Sequence, residues 1–305
     1  MSIVIASETE ALPPPPTRSE SMGGEKEKGS SSDGLAINMV IRQDPFSITL
    51  DASALLALSL LLIAGMHFFQ RLLLEGLILA VPILLLIRND YENFLRLGPG
   101  GTPPTPAGYA RLTWYRLFTL RDPFTPPPKD KDVSPSAGIL QQQDLPYRPG
   151  PRPTVAGLAP QRQLNQAGSV PCFDATKRAL GELAARDPNK FGTATSCLEK
   201  HGFALFARHP VNVCGNGEVC HIHNSDKSMH MNLHPDDIKE VLQKGWGQRH
   251  PMAWTGWVHT PVPSTFVMVY APRDETDLRI VAKIIESAIW YTLEERVDLE
   301  SLIKL

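Results

Sequence analysis

A nearly unbroken apolar block constrains this chain more than any other feature. Residues 52–69 are almost wholly apolar, and residues 72–87 are nearly so, with Gln70, Arg71 and Glu75 interrupting. A helix needs about 20 apolar residues to cross the hydrocarbon core of a bilayer. Each run alone is slightly short, so the block predicts either a tight helical hairpin or one span with an interfacial helix. A buried soluble helix pair would need a large core around it. A cleaved signal peptide would carry its apolar region nearer the start. Arg88, Arg96, Arg111, Arg116 and Arg121 follow the second run, whereas only Arg42 and the distant Lys28 precede the first. The positive-inside rule then puts the C-terminal domain in the cytosol. On this reading the chain is a membrane protein whose partner is the lipid bilayer.

The block divides the chain into four segments. Residues 1–48 hold Pro13 to Pro16, the charged run Glu25 to Lys28 and Ser30 to Ser32. Such a segment has too little apolar surface to offset its ordering entropy and is expected to be disordered. Residues 49–98 are the anchor and an exit helix, stopped by Gly98-Pro99-Gly100-Gly101. Residues 99–144 are a proline-rich linker containing the amphipathic stretch Tyr109 to Leu120, and residues 145–305 are the folded domain. A net charge of -2 leaves no cationic excess for nucleic acid. The four cysteines, Cys172, Cys197, Cys214 and Cys220, form no CxxC pair. Buried free thiols are the expected reading, ahead of a disulfide framework or a thiol nucleophile.

Within the folded domain, Ala179, Leu180, Leu183 and Ala184 share one face of a helix over 174–186 that Pro188 stops. Residues 193–198 and 203–207 read as strands. Pro235 to Lys244 has Pro at its first position, Asp236 and Asp237 in its first turn and Gly245 just beyond its end, which marks a short helix. Residues 264–271 read as a β-branched and aromatic strand. Asp274 caps a last helix striped by Leu278, Val281, Ile285, Ala288 and Ile289. Helices and strands do not alternate as βαβ units. The expected fold is therefore α+β, a mainly antiparallel sheet with packed helices, preceded by one or two hydrophobic membrane helices.

The segment Val219 to Leu233 carries the chemistry. Asn224 to Lys227 is a turn sequence. If His223 pairs with Ser228, then Ile222 faces Met229 and Cys220 faces Met231, so the apolar faces coincide. The same register sets His221 opposite His230, with Cβ atoms about 5 Å apart, and His223 on that face two residues along. Three readings of the converging imidazoles stay open. They can be a solvated polar face, a metal-free catalytic or binding cluster, or a divalent-metal site with Glu218 or Asp226 as an oxygen ligand. The metal-free catalytic or binding cluster is the expected reading. Further on, Gly245-Trp246-Gly247 suggests a tight bend from which Arg249 and His250 project, with Trp246 as a core residue or a pocket wall. Trp254 and Trp257 can line a flat apolar pocket for an aromatic ligand.

Four strings resemble the fungal luciferase family: KEVLQKGWGQRHPMA at 239–253, FVMVYAPRDETDLRIVAKIIESAIWY at 266–291, LPYRPGPRPTVAGLAPQRQLNQ at 145–166 and YENFLRLGP at 91–99. They stand in the family's order behind a hydrophobic anchor, and the likeness runs from roughly Leu77 to Tyr291. Luminous members oxidise a hydroxylated styryl α-pyrone with O₂, without flavin or nicotinamide, through a peroxide that loses CO₂. The resemblance therefore implies a cofactor-independent oxygenase with O₂ as co-substrate and a small hydrophobic, aromatic or polyketide metabolite as its ligand. In that role His221, His223 and His230 would be bases, Arg249 and His250 donors to an oxyanion, and Trp246 a pocket wall. The run 52–69 and the head before it depart from the luminous members, and the histidine stretch matches them only in loose spacing. Light emission is not expected here. The alternative is a non-catalytic metabolite- or metal-binding membrane protein.

Overall fold

The computed structural model describes residues 40–41, 50–69, 72–255 and 260–304. These fall in two compact units, one ending at Val81 and the other running from Pro82 onward. In the first, the short strands β1 (Val40–Ile41) and β2 (Leu50–Asp51) pair antiparallel. They lead into helix α1 (Ala52–Phe69) and the start of α2 (Leu72–Arg96).

Among the described residues no helix is long and apolar enough to cross a membrane, so the expected spanning anchor is not found there. At ~1.5 Å per residue, the 18 residues of α1 fall just short of the core thickness. α2 is longer, but it contains Pro82, and its last third carries Arg88, Asp90, Glu92 and Arg96. Leu56, Leu60, Leu61 and Ile63 of α1 are nonetheless exposed, as are Ile83, Leu84 and Leu85 of α2. The expected disordered head lies outside the described residues, apart from its short strand β1.

The second unit is α+β, as expected. After α2 come α3 (Pro106–Arg116) and a small hairpin of β3 (Val155–Gly157) and β4 (Gln161–Gln163). Then follow α4 (Val170–Arg186), β5 (Phe191–Thr195), β6 (Phe203–Ala207), β7 (Glu218–Ile222), β8 (Met229–Asn232), α5 (Pro235–Gln243), β9 (Gly247–Arg249), β10 (Phe266–Val269) and α6 (Glu275–Leu293). Strands β5 to β10 make one antiparallel sheet in the order β5-β6-β7-β8-β10-β9.

The local rules place most of these elements. Asp274 accepts the Asp277 N–H and caps α6, and Pro235 opens α5. α4 starts four residues earlier than the periodicity predicts, because Ser169 accepts the Cys172 N–H and Pro171 suits a first turn. β5 ends at Thr195 rather than 198. There Ser196 Oγ accepts the N–H groups of Leu198 and Glu199, so a side-chain turn replaces the ladder.

The sheet has two different faces. One row runs Leu205, Cys220, Met231, Val267, and all four side chains join Leu180, Val241, Val281, Ile285 and Ile289 of the helices in the main core. The alternate row runs Ala204, His221, His230, Met268, Gln248. This second face is covered by a smaller cluster that includes Phe94 of α2, Leu112 of α3, Leu158, Met252 and Val262. Residues 99–144 thus contribute a helix that helps close one side of the sheet.

Candidate active site

The hairpin β7–β8 adopts the register that the alternation predicts. Cys220 pairs with Met231, His221 with His230 and Ile222 with Met229, and the His223 N–H donates to the Ser228 carbonyl at 2.9 Å. The imidazoles of 221, 223 and 230 therefore lie on one face, and each is at most 4 % exposed. His223 Nε2 is 2.9 Å from His230 Nδ1, which is 3.2 Å from His221 Nε2. One ligand atom from each ring lies within 4.8 Å of the other two, so the trio is able to hold a cation.

Each ring is fixed from behind. His221 Nδ1 is 2.5 Å from Glu218 Oε1. These residues are three apart and would ordinarily point to opposite faces of a strand. A register shift between Leu205 and Phe206 inserts Val219 as an extra residue and brings both to the same side. His223 Nδ1 meets Ser228 Oγ at 2.8 Å and Asp226 Oδ1 at 3.3 Å. His230 Nε2 meets Gln161 Oε1 at 2.8 Å. Burial opposes the charge on Glu218, but hydrogen bonds from His221 and Cys197 outweigh it and hold the carboxyl below its usual range. Asp226 is held low in the same way, by His223 and by the Gln163 N–H.

Glu199 faces the trio from the loop after β5. Its Oε2 is 3.8 Å from His221 Nε2 and its Oε1 is 3.9 Å from His223 Nε2. Arg162 pairs with Oε1, while Oε2 has no hydrogen-bond partner. The chain must double back tightly to deliver this side chain. Gly202 takes φ +76°, and a Cβ there would come within 2.7 Å of the Ile222 carbonyl.

These groups floor a cavity of about 150 Å³. Its walls are mostly apolar, with Leu112, Tyr115, Leu158, Met252, Val262 and Phe266, and Arg111 and Gly101 also line it. The Phe266 ring stacks on His230 at 5.2 Å and 12°. His250 lies edge-on to His230 at 5.2 Å and accepts the Met252 N–H on Nδ1. Burial pushes its pKa down to about 3, against the pull of the Leu158 backbone, which keeps this ring neutral. Burial likewise lowers His223 and, more strongly, His230, where the neighbouring imidazoles add to the effect.

The other expected residues lie elsewhere. Arg249 pairs with Val267 on edge strand β9, so it belongs to the row opposite the histidines. Its guanidinium bonds the carbonyls of Thr125, Ala253 and Ser264 instead, and it does not line the cavity. Trp246 is 2 % exposed in the main core and donates Nε1–H to the Pro146 carbonyl at 2.7 Å. It fills the core and forms no wall of the cavity. Trp254 is half-buried and also lies off the cavity, and Trp257 lies outside the described residues. Glu218 and Asp226 face the outward nitrogens of their histidines, leaving Glu199 as the carboxylate on the inner side. Glu199, Gln161, Arg162 and Arg111 carried no local signal that linked them to the hairpin.

A family model described as the luciferase domain matches residues 216–288. That segment holds the three hairpin histidines and His250, while Glu199 and Gln161 precede it. The luciferase of Neonothopanus nambi is 32% identical over 237 residues, covering 71% of this chain and 85% of the relative. The luciferase of Armillaria mellea is 34% identical over 231 residues, covering 67% of this chain and 81% of the relative. No solved structure matches the chain.

Proposed function

Because the chain belongs to the fungal luciferase family, we propose that it is an oxygenase-like enzyme that joins O₂ to a small, acidic, mostly apolar metabolite of the hydroxy-α-pyrone kind. The observation that carries this is the imidazole trio at the floor of an apolar-walled cavity. A neutral imidazole of the trio can accept the proton of an acidic enolic hydroxyl, whose own acidity meets the low basicity that burial gives His223 and His230. The enolate carbon then forms a bond to oxygen and gives up two electrons, reducing O₂ to the level of a peroxide. Leu112, Leu158, Val262 and Phe266 exclude the water that would hydrolyse such an intermediate. Arg111 at the cavity supplies positive charge for the substrate oxyanion, the task that Arg249, turned away, does not meet. No flavin or nicotinamide takes part in this scheme, and it makes no claim of light emission.

Oxygen-electrode measurements on purified protein with a panel of hydroxy-α-pyrones test it. Wild type should consume O₂ above a buffer blank, and His230→Ala should lower the rate by about 100-fold or more. Uptake no faster than the blank for every compound would sink the enzyme reading, and ligand-induced thermal stabilisation alone would point to a binding module. The exposed leucines of α1 support lipid as the partner of the N-terminal unit. Flotation with neutral liposomes checks that part, and a protein that stays at the bottom of the gradient rejects it.

A further inference from the structure

The outward bonds of the three histidines decide what their inner nitrogens can be. A neutral imidazole has one N–H and one lone pair. The partner of His221 Nδ1 is a carboxylate, Glu218, which only accepts. The partner of His223 Nδ1 is Ser228 Oγ, whose own hydrogen goes to Asp226 Oδ2 at 2.8 Å, so this oxygen is also an acceptor. The partner of His230 Nε2 is the side-chain amide oxygen Oε1 of Gln161. Each ring thus spends its N–H outward. What remains is three lone pairs, on His221 Nε2, His223 Nε2 and His230 Nδ1, aimed at one another across 2.9 and 3.2 Å. Three neutral rings bonded in this way place no proton between the inner nitrogens, so each contact sets lone pair against lone pair.

Glu199 sharpens the problem. It is 6 % exposed, its Oε2 has no hydrogen-bond partner, and its oxygens stand 3.8 and 3.9 Å from two of the inner nitrogens. A buried carboxylate oxygen without a partner is costly. A single cation at the centre would satisfy all four groups at once. Tetrahedral ligands at metal–nitrogen bonds of ~2.05 Å stand about 3.4 Å apart, within the range of separations found here. Histidines backed by a carboxylate, a hydroxyl–carboxylate pair and an amide oxygen form the outer layer that metal-bound imidazoles ordinarily carry.

We propose that His221, His223, His230 and Glu199 are the ligand set of a divalent first-row transition metal, with a further coordination position facing the cavity. Nitrogen and carboxylate donors suit iron, manganese, cobalt or zinc and do not favour calcium or magnesium. Arg162 becomes a positioning residue that holds the Glu199 carboxylate through Oε1 and leaves Oε2 for the metal. With a metal bound the three imidazole lone pairs are ligands and no longer bases. The oxygenase reading above would then take its substrate as the enolate, held at the open position by Lewis acidity; occupancy of the site does not rest on that reading.

Cobalt(II) is the probe. Full-length protein is stripped with chelator, dialysed, and titrated with Co(II) while visible d–d absorption and binding heat are recorded. Wild type should bind about one equivalent with the absorption of a four- or five-coordinate nitrogen/oxygen site. Glu199→Gln keeps the side-chain size and should weaken binding at least about 10-fold, as should His230→Ala. Glu218→Gln, which loosens only the outer bond, should cost roughly 10–100-fold. The exposed His201→Ala should change nothing. Should the variants fail to fold by circular dichroism, the wild-type spectrum still decides. No d–d bands, or a Kd unchanged in folded Glu199→Gln, overturns the proposal. Oxygen uptake on the same stripped and reloaded samples separates the two readings. Stoichiometric Co(II) without O₂ uptake supports the metal site and counts against the oxygenase. Undiminished uptake by wild type that binds no Co(II) does the reverse.

Discussion

Asp237 should make this protein less stable as pH rises from 4 to 7. It sits in the first turn of α5 with no solvent exposure. Oδ1 accepts the Leu140 N–H at 2.8 Å, which ties α5 to the turn at Leu140–Gln143, while Oδ2 has no hydrogen-bond partner. Burial raises the carboxyl pKa from 3.8 to about 6, only partly offset by the N–H groups of Leu140 and Ile139. The folded state therefore holds this proton more tightly than the unfolded chain does. Its stabilising contribution is complete below pH 3.8 and is lost as pH rises through about 6. At about 1.4 kcal/mol per pH unit, the loss is roughly 3 kcal/mol. Asp237→Asn keeps the shape and the acceptor without the charge. The stability of the variant relative to wild type should climb by that amount between pH 4 and pH 7. For a folded unit of this size, roughly 2–4 °C per kcal/mol makes the change in relative Tm about 6–12 °C. Urea denaturation of both proteins at unit steps from pH 4 to 8 measures it. Two stability curves that run parallel across that range would refute the reasoning.

Two further outcomes follow from packing and burial. Arg249→Met should cost about 2–4 kcal/mol, because it leaves the Thr125, Ala253 and Ser264 carbonyls without their shared donor. Any O₂ uptake per folded molecule should stay within about 3-fold, and a collapse of turnover in well-folded protein would return Arg249 to the site. Burial pushes the Cys220 thiol up to about 12 and raises Cys214 as well. Thiol titration at pH 8 should therefore leave both unreacted until denaturant is added, with the partly exposed Cys197 reacting first. Rapid native labelling of Cys220 would contradict the buried hairpin face.

The amino-acid sequence by itself determined what depends on neighbours along the chain. Alternation from Cys220 onward in β7 and along β8 admits one register that puts the apolar side chains together, and that register necessarily brings His221 opposite His230. Pro235 and Asp274 announce helix starts because first-turn N–H groups have no partner inside the helix: proline brings no N–H to satisfy, and aspartate accepts one. Tertiary structure decided the rest. Gln161, Arg162 and Glu199 reach the histidines from 20 or more residues away, through a small hairpin and a tight turn that no periodicity connects to β7. Arg249 reads in sequence as a projecting donor, yet its pairing with Val267 on an edge strand turns it to the opposite row, where loop carbonyls capture it. Trp246 goes to the core for the same kind of reason: its large apolar ring finds space under α5, and its one N–H finds the Pro146 carbonyl. In α1 and α2, composition alone suggests a span, whereas length, Pro82 and the charges after Ile87 limit what the helices achieve. Side-chain direction and through-space partners are properties of the assembled sheet. They are set by which strands become neighbours, and local sequence does not encode that choice.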